Sequence, residues 1–178
     1  RSQRSKLQRK YKKVLNHFSA GVKIRGFHGP AVLDEAIAKI QEVACKTEKR
    51  RMGFGFVDTR ETREQMSEAA SKGWLRTYIL YFHERPTAFW VGTLYDRNLQ
   101  AQFVGYDPIW RDFSPGIFLF LSILEDMKDE DIQTIDFGCG NSQIRQCFGD
   151  RRQVESCIRM YAPNFRGLRL NLACTIAY

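Results

Sequence analysis

The chain has 178 residues, of which 43% are apolar and 27% charged. This balance is typical of a globular protein with one core, and it argues against disorder or a fibrous repeat. The net charge is +8, but residues 1–25 hold nine Lys or Arg and no acid, which leaves 19 basic and 20 acidic residues in 26–178.

The first predicted element is a basic leader helix within residues 1–25. Its apolar side chains recur at three- and four-residue steps and form one face, made of Leu7, Tyr11, Val14, Leu15 and Phe18. We expect this face to dock on the protein and the basic side chains to face solvent. Contact with a polyanion such as RNA, with anionic lipid or with an acidic neighbouring domain is the alternative. Residues 26–178 are predicted to form one domain.

A short strand and a helix follow the leader. Residues 22–25 are β-like, and residues 26–30 have the composition of a turn. The next segment carries an apolar stripe at helical spacing, made of Leu33, Ile37, Ile40 and Ala44. We expect a helix there.

A second helix is predicted after Gly53 and Gly55. The polar run 46–51 ends the first helix, and Asp58 with Glu61 has the spacing of a capping box. The second helix should stop at Gly73, because glycine adopts the left-handed conformation that closes many helices. Both helices are expected before the main run of strands.

Aromatic and β-branched residues then predict three consecutive strands. The runs 74–82, 87–95 and 99–106 are separated by the short polar turns 83–86 and 96–98. Short turns join antiparallel neighbours, so the three runs are expected to form an antiparallel meander.

A strongly apolar helix is predicted after Ser114, followed by a strand at 132–137. The uncharged core of this helix, residues 117–124, is far shorter than the ~20 residues that cross a bilayer. A right-handed crossover would lay strand 132–137 parallel to the last meander strand. A short helix at 141–148 and a strand at 153–161 complete a mixed sheet of the α+β class, with an antiparallel meander followed by a βαβ crossover and flanked by helices.

The start of that apolar helix is a candidate anion site. Ser114 is a favourable N-cap residue and Pro115 suits the first helical position. The first turn carries no carboxylate, which leaves the positive end of the helix dipole free for an outside anion. Gly116 permits close approach to the backbone, and Arg111 is a second candidate phosphate ligand. A well-capped buried helix is the alternative explanation.

A glycine-rich turn follows strand 132–137. Gly138 and Gly140 permit positive φ or a close backbone approach, and Asp136 suits a turn-holding role. Arg145 stands one turn into the next helix, where it faces either an anion or solvent. A tight turn without function is the alternative for this segment.

Metal and disulfide chemistry find no support in the sequence. Five cysteines form no C-x-x-C pair, and three histidines are scattered along the chain. A metal hydrolase and a serine hydrolase are set aside, because neither a ligand cluster nor Gly-x-Ser-x-Gly is present. Free thiols and the lack of an apolar signal segment near residue 1 favour a cytoplasmic protein.

Several of these segments together resemble a known family. They are Gly105-Tyr106-Asp107-Pro108, Ser114-Pro115-Gly116, Asp136-Phe137-Gly138-Cys139-Gly140, the turn Arg85-Pro86-Thr87-Ala88-Phe89, and Gly73-Trp74-Leu75-Arg76. The chain resembles, over residues 5–165, the GNAT-fold acyltransferases of the CelD-type, cellulose-biosynthesis-associated branch, which are related to the FemAB peptidyltransferases. Such proteins usually pair two halves, so the chain is expected to be the C-terminal half of a longer protein.

The resemblance implies transfer of an acyl group from acyl-CoA to an amine by direct attack on the thioester, without a metal. The donor would lie in a gap between the strands ending at Tyr106 and Phe137. The implied donor-binding residues are Val104, Gly105, Arg111, Ser114, Pro115, Gly116, Phe137, Gly138, Gly140 and Arg145. Backbone N–H groups near Val104 would stabilise the oxyanion.

The catalytic candidates are Tyr106, Asp107 and Asp136. The family's Tyr-Lys pair after the glycine turn is replaced here by Ile144-Arg145. Isoleucine cannot protonate the leaving thiolate, so Tyr106 is the substitute acid, and the two aspartates are the candidate bases. Two alternatives remain open: an aminoacyl-tRNA-dependent FemAB-like transferase, and a non-catalytic module of polysaccharide biosynthesis.

Overall fold

The computed structural model describes residues 3–138, 143–149 and 163–164. Its helices are α1 (Gln3–Phe18), α2 (Leu33–Ala44), α3 (Glu48–Arg51), α4 (Arg60–Ser71), α5 (Pro115–Asp126) and α6 (Gln143–Phe148). Its strands are β1 (Val22–Phe27), β2 (Leu75–Phe82), β3 (Arg85–Tyr95), β4 (Asn98–Tyr106) and β5 (Thr134–Asp136). Short 3₁₀ segments lie at Ser19–Gly21, Pro30–Val32 and Pro108–Phe113.

The five strands form one mixed sheet in the order β1-β2-β3-β4-β5. Strands β1 to β4 are antiparallel to their neighbours, and β5 joins β4 in parallel after the crossover through α5. The predicted α+β class, with its meander and βαβ crossover, is therefore confirmed. The predicted strand 153–161 lies outside the described residues.

Helices cover both faces of the sheet. The core between the sheet and α2 and α4 includes Ile37, Met66 and Phe89. The core on the other face is formed by α1 and α5, with Phe118 and Ile123 buried against the sheet. Side chains of the central strands pack alternately into one core and the other, because successive residues of a strand point to opposite faces.

The leader helix docks as predicted, with one exception. Val14 and Phe18 are buried in the core that α5 shares, whereas Leu15 is 41% exposed. Strand β1 continues to Phe27, where a turn was expected, because Gly26 pairs with Tyr78 of β2. The predicted domain boundary after residue 25 therefore falls inside β1.

One local prediction about a helix end was wrong. The N-cap of α4 is Thr59, whose hydroxyl accepts from the Thr62 N–H, and not Asp58. Asp58 instead forms a two-bond ion pair with Arg63 at 2.6 and 2.8 Å. The polar run 46–51 follows the end of α2 at Ala44, as predicted, and Thr47 then caps the short helix α3 within it.

Both hairpins turn through two residues that have positive φ and are not glycine. These residues are His83 and Glu84 between β2 and β3, and Asp96 and Arg97 between β3 and β4. Such turns match the right-handed twist of the flanking strands. The Arg97 carbonyl also accepts from the N–H groups of Gln133 (2.9 Å) and Thr134 (3.3 Å), where β5 begins.

Candidate functional site

The parallel contact between β4 and β5 is short and leaves most of β4 beyond it. The ladder covers only Asn98 to Gln100 of β4, opposite Thr134 to Asp136. Strand β4 then continues six residues further, to Tyr106. The pairing therefore ends at Gln100, and residues 101–106 form an open edge of β4 that has no β5 partner among the described residues.

Two backbone amides of β4 point towards this open edge. The Asp107 N–H donates to the Thr87 carbonyl at 2.8 Å, so the N–H of residue 107 points towards β3. The N–H groups of successive residues in a strand point to alternate sides, and the register with β3 is regular from Phe103 to Tyr106. The N–H groups of Val104 and Tyr106 are therefore directed away from β3. They are suited to bind an oxygen of a ligand that lies along this edge.

Packing on the face of the sheet that α2 and α4 cover requires glycine at position 105. A Cβ there would lie 2.7 Å from Cε1 of Phe89 and 2.9 Å from Cγ2 of Thr47. Glycine at this point lets the segment that begins α3 approach the end of β4. The same segment supplies Lys46, whose Nζ lies 3.5 Å from Oδ2 of Asp107.

The start of α5 lies beside the end of β4, but Ser114 does not cap it as predicted. Ser114 has φ 51° and ψ 54°, and its side chain makes no capping hydrogen bond. Its carbonyl instead accepts from the N–H groups of Ile117 and Phe118. Pro115 has no N–H, so Gly116 supplies the first amide of the helix. A Cβ on Gly116 would meet the Tyr106 ring at 3.8 Å.

Asp107 holds the 3₁₀ segment between β4 and α5. Its Oδ1 accepts from the Ile109 N–H at 3.1 Å, and its other oxygen faces Lys46. Arg111 lies exposed in the same segment. Asp107 therefore has the turn-forming role that the following proline suggested, and Arg111 is accessible to an anion.

Asp136 holds the glycine turn at the end of β5, opposite Gln100, where the ladder with β4 ends. Its Oδ1 accepts from the Gly138 N–H at 2.7 Å, and its Oδ2 accepts from the Gln100 amide at 3.3 Å. Gly138 has φ 66°, and a Cβ there would lie 3.1 Å from the Ala101 carbonyl oxygen. A side chain at this position would thus face both a strained backbone and a close contact.

The three catalytic candidates do not form one cluster. Asp136 is opposite Gln100, six residues from Tyr106 along β4. At about 3.3 Å per residue, the two positions are roughly 20 Å apart. Tyr106 and Asp107 stand together at the open end, where Tyr106 is 41% exposed. Asp136 is therefore too distant to exchange a proton with a group at Tyr106.

Aromatic contacts connect α5 to the segments beyond β5. The Phe120 ring lies 5.4 Å from Phe137 and 5.2 Å from Phe148 of α6. Ile144 of α6 is half-buried. Gly140 lies outside the described residues, as does the side chain of Arg145, so their predicted roles in donor binding stay predictions.

Sequence reasoning missed the contribution of Lys46 and Thr47. Both belong to a polar run that was expected only to end α2. Their contacts with Asp107 and Gly105 depend on the way α3 folds onto β4. No local pattern signals such a long-range contact.

A separate cavity of about 660 Å³ lies between β1 and α5, away from the open edge of β4. His28, Tyr78 and Asp126 line it, and the Tyr78 hydroxyl donates to Asp126 at 2.8 Å. Burial, followed by the positive charge of Arg76, lowers the pKa of His28. Burial and the hydrogen bond to Asp126 raise the pKa of Tyr78.

Within residues 3–138, 143–149 and 163–164, no group of three His, Cys, Asp or Glu side chains is placed to hold a metal ion. Over the same ranges, no helix combines the length and apolar character needed to span a membrane.

The chain resembles several solved acetyltransferases in fold. They include a GNAT family acetyltransferase from Staphylococcus aureus (TM-score 0.53, 11% identity, 79% of this chain and 98% of that chain). A Clostridium acetobutylicum protein described as a predicted acetyltransferase, with acetyl-CoA, has a TM-score of 0.57 at 8% identity and covers 78% of this chain and 96% of its own. An aminoglycoside acetyltransferase from an uncultured soil metagenomic sample has a TM-score of 0.55 at 9% identity, with 79% and 99% covered.

Comparison with family models identifies the chain more directly than these distant folds. A search of curated proteins finds no significant match. The model of the acetyltransferase (GNAT) domain, however, matches residues 1–145, which is most of the chain. The match includes β1 to β5, the open edge of β4 and the start of α5. The chain therefore belongs to the GNAT acetyltransferase family, whose members transfer an acyl group from acyl-CoA to an amine.

Proposed function

We propose that the protein is an N-acyltransferase that binds acyl-CoA along the open edge of β4. The observation that carries this proposal is the end of the β4–β5 pairing at Gln100, with the amides of Val104 and Tyr106 directed towards the edge beyond it. A thioester carbonyl placed there would accept from these amides. The same amides would stabilise the oxyanion that forms when an amine attacks.

The donor phosphates are proposed to lie at the start of α5. The Gly116 N–H opens the helix, no acidic residue stands in its first turn, and Arg111 is exposed just before it. Helix starts of this kind favour anions through their N–H groups and dipole. Because Tyr106 contacts the same glycine position, the end of β4 and the phosphate site are adjacent.

Tyr106 is the proposed acid for the departing thiolate. In the reaction, a C–N bond forms, the C–S bond breaks, the amine loses a proton and the sulfur gains one. Tyr106 stands at the open end and is 41% exposed, whereas the side chain of Ile144 has no acidic proton. Asp107 follows Tyr106 directly, and its hydrogen bond to Ile109 and ion pair with Lys46 give it a positioning role.

The finer family assignment remains part of this proposal. The paired motifs of β4, α5 and the glycine turn favour the CelD-type branch related to FemAB proteins. The replacement of Tyr-Lys by Ile144-Arg145 favours the alternative of a binding module without turnover. An assay of donor binding together with thiol release distinguishes an enzyme from such a binding module.

The test measures acetyl-CoA affinity by calorimetry and CoA thiol release with a panel of amines. We expect the wild type to bind and turn over, and Ser114→Glu to lose binding, because its carboxylate repels the donor phosphates. Ser67→Glu, which adds the same charge on the exposed face of α4, is the matched control and should bind normally. Tyr106→Phe should keep the affinity and lose turnover.

Three outcomes contradict parts of the proposal. Equal loss of binding in Ser114→Glu and Ser67→Glu would show that the effect is general electrostatics and not the start of α5. Binding without thiol release would assign the chain to the non-catalytic module. Transfer from aminoacyl-tRNA, without binding of acetyl-CoA, would replace the proposed donor.

A further inference from the structure

Helix α1 carries a concentration of positive charge that the described structure does not neutralise. Its cations with described side chains are Lys6, Arg9, Lys10, Lys12 and Lys13, and its sequence contains no Asp or Glu. Among the ion pairs between described residues, none includes a cation of α1. Like charges so close together repel one another, which favours an anionic partner.

Contacts place this helix against the segment that leads into α5. The Lys13 Nζ donates to the Asp112 carbonyl at 3.0 Å and lies 4.9 Å from the centre of the Phe113 ring. The His17 ring is 4.7 Å from that of Phe113. The Tyr11 ring stacks on Phe118 in the first turns of α5, at 4.6 Å. These contacts lie on both sides of residues 114–116.

Helical spacing aligns two more lysines with Lys13. Lys6, Lys10, Lys13 and His17 are separated by four, three and four residues, so they share one flank of α1. Lys10 is three residues from Lys13, or about 4.5 Å along the axis. Lys12 lies on a different side of the helix, about 100° from Lys13.

We propose that Lys10 and Lys13 bind the 3′-phosphate of the donor's adenosine. This inference rests on the proposed function, which places the pyrophosphate at Gly116 and Arg111. Acyl-CoA carries, besides its pyrophosphate, a phosphomonoester on the ribose, and that group lies a few ångströms further from the thioester. Lys13 has two N–H donors left after its bond to Asp112, and Lys10 is half-buried beside it.

The experiment compares acetyl-CoA with acetyl-dephospho-CoA, which differs only by the 3′-phosphate. Affinities are measured by calorimetry for the wild type, Lys10→Gln, Lys13→Gln and the control Lys12→Gln. We expect the wild type to prefer acetyl-CoA. Lys10→Gln and Lys13→Gln should each weaken acetyl-CoA about three- to tenfold while leaving the dephospho ligand nearly unchanged. Lys12→Gln, with the same loss of charge, should bind both ligands as the wild type does.

The remaining outcomes overturn the inference in distinguishable ways. Equal wild-type affinity for the two ligands refutes a 3′-phosphate site while the proposed acyltransferase stands. The same holds if Lys12→Gln weakens acetyl-CoA as much as Lys10→Gln, because the effect then belongs to the general field of the helix. Tight, salt-sensitive binding of a tRNA that all three variants weaken equally assigns α1 to nucleic acid. If the wild type binds neither ligand, the proposed function fails together with this site.

Discussion

The substitution Gly116→Ala gives opposite predictions for stability and for donor binding. A Cβ at this position meets only the Tyr106 ring, at 3.8 Å, which is an ordinary van der Waals contact. Alanine is favoured over glycine within a helix by about 0.5–1 kcal/mol. The variant should therefore be more stable by roughly 0.5 kcal/mol near the helix start, which raises Tm by about 1–2 °C for a chain of this size.

The same methyl group should weaken acetyl-CoA. It would stand beside the Gly116 N–H, where the donor phosphate is proposed to accept a hydrogen bond. Loss of one hydrogen bond to a charged group costs about 1.5–3 kcal/mol, which is roughly ten- to a hundredfold in Kd. Urea unfolding and calorimetry measure the two effects separately on the same protein.

A matched control is Gly29→Ala, because nothing lies within 4 Å of a Cβ at Gly29. It should leave acetyl-CoA affinity unchanged. Unaltered affinity in Gly116→Ala would refute the placement of the donor at the start of α5. A loss of more than about 1 kcal/mol in stability would instead show that the packing of Tyr106 against Gly116 is closer than described.

Three further predictions concern the stability of the fold. Gly105→Ala should lower stability by about 1–3 kcal/mol in urea unfolding, because its methyl would overlap Phe89 and Thr47; an unchanged midpoint would contradict that packing. Ser114→Gly should be more stable than Ser114→Ala in thermal unfolding, since φ is 51° and glycine adopts this conformation without a Cβ penalty; the reverse order would contradict the left-handed backbone at this position. The lowered pKa of His28 should reduce stability as pH falls below 6.5, where the unfolded chain takes up the proton more readily; His28→Phe should lack this part of the pH dependence, and identical profiles for the two proteins would refute it.

The meander and the crossover could be predicted because their signals are local. Alternating aromatic and β-branched residues marked β2 to β4, and the apolar run after Ser114 marked α5. The end of β1 could not be placed in this way. Gly26 has the composition of a turn, but its pairing with Tyr78 keeps it in the strand, and that pairing depends on the tertiary structure.

Helix caps show how neighbouring side chains compete for one role. Asp58 and Thr59 are both good N-cap residues. Arg63 takes Asp58 into an ion pair, so Thr59 caps α4. Ser114 is likewise a good cap by residue type, but its left-handed backbone leaves its hydroxyl without a capping bond. The presence of a good N-cap residue thus indicates where a helix starts, but it does not show which side chain makes the capping hydrogen bond.

The candidate site was predictable in its sequence motifs and not in its distances. The sequence indicated that Tyr106 and the start of α5 belong together, and the structure brings Tyr106 within contact of the Gly116 position. Asp136 was expected to face the same gap. Its separation from Tyr106 follows from the three-residue register between β4 and β5, which no local pattern specifies.

The two-residue turn at Asp96 and Arg97 has a consequence for the size of the proposed donor site. Because the Arg97 carbonyl accepts from both Gln133 and Thr134, this turn determines where β5 starts and therefore where it leaves β4. The turn thus sets how many residues of β4 remain unpaired with β5 and free for a ligand. One inserted residue should move β5 along β4 and change the length of β4 that remains for the proposed donor, with the sequence at the open end unchanged.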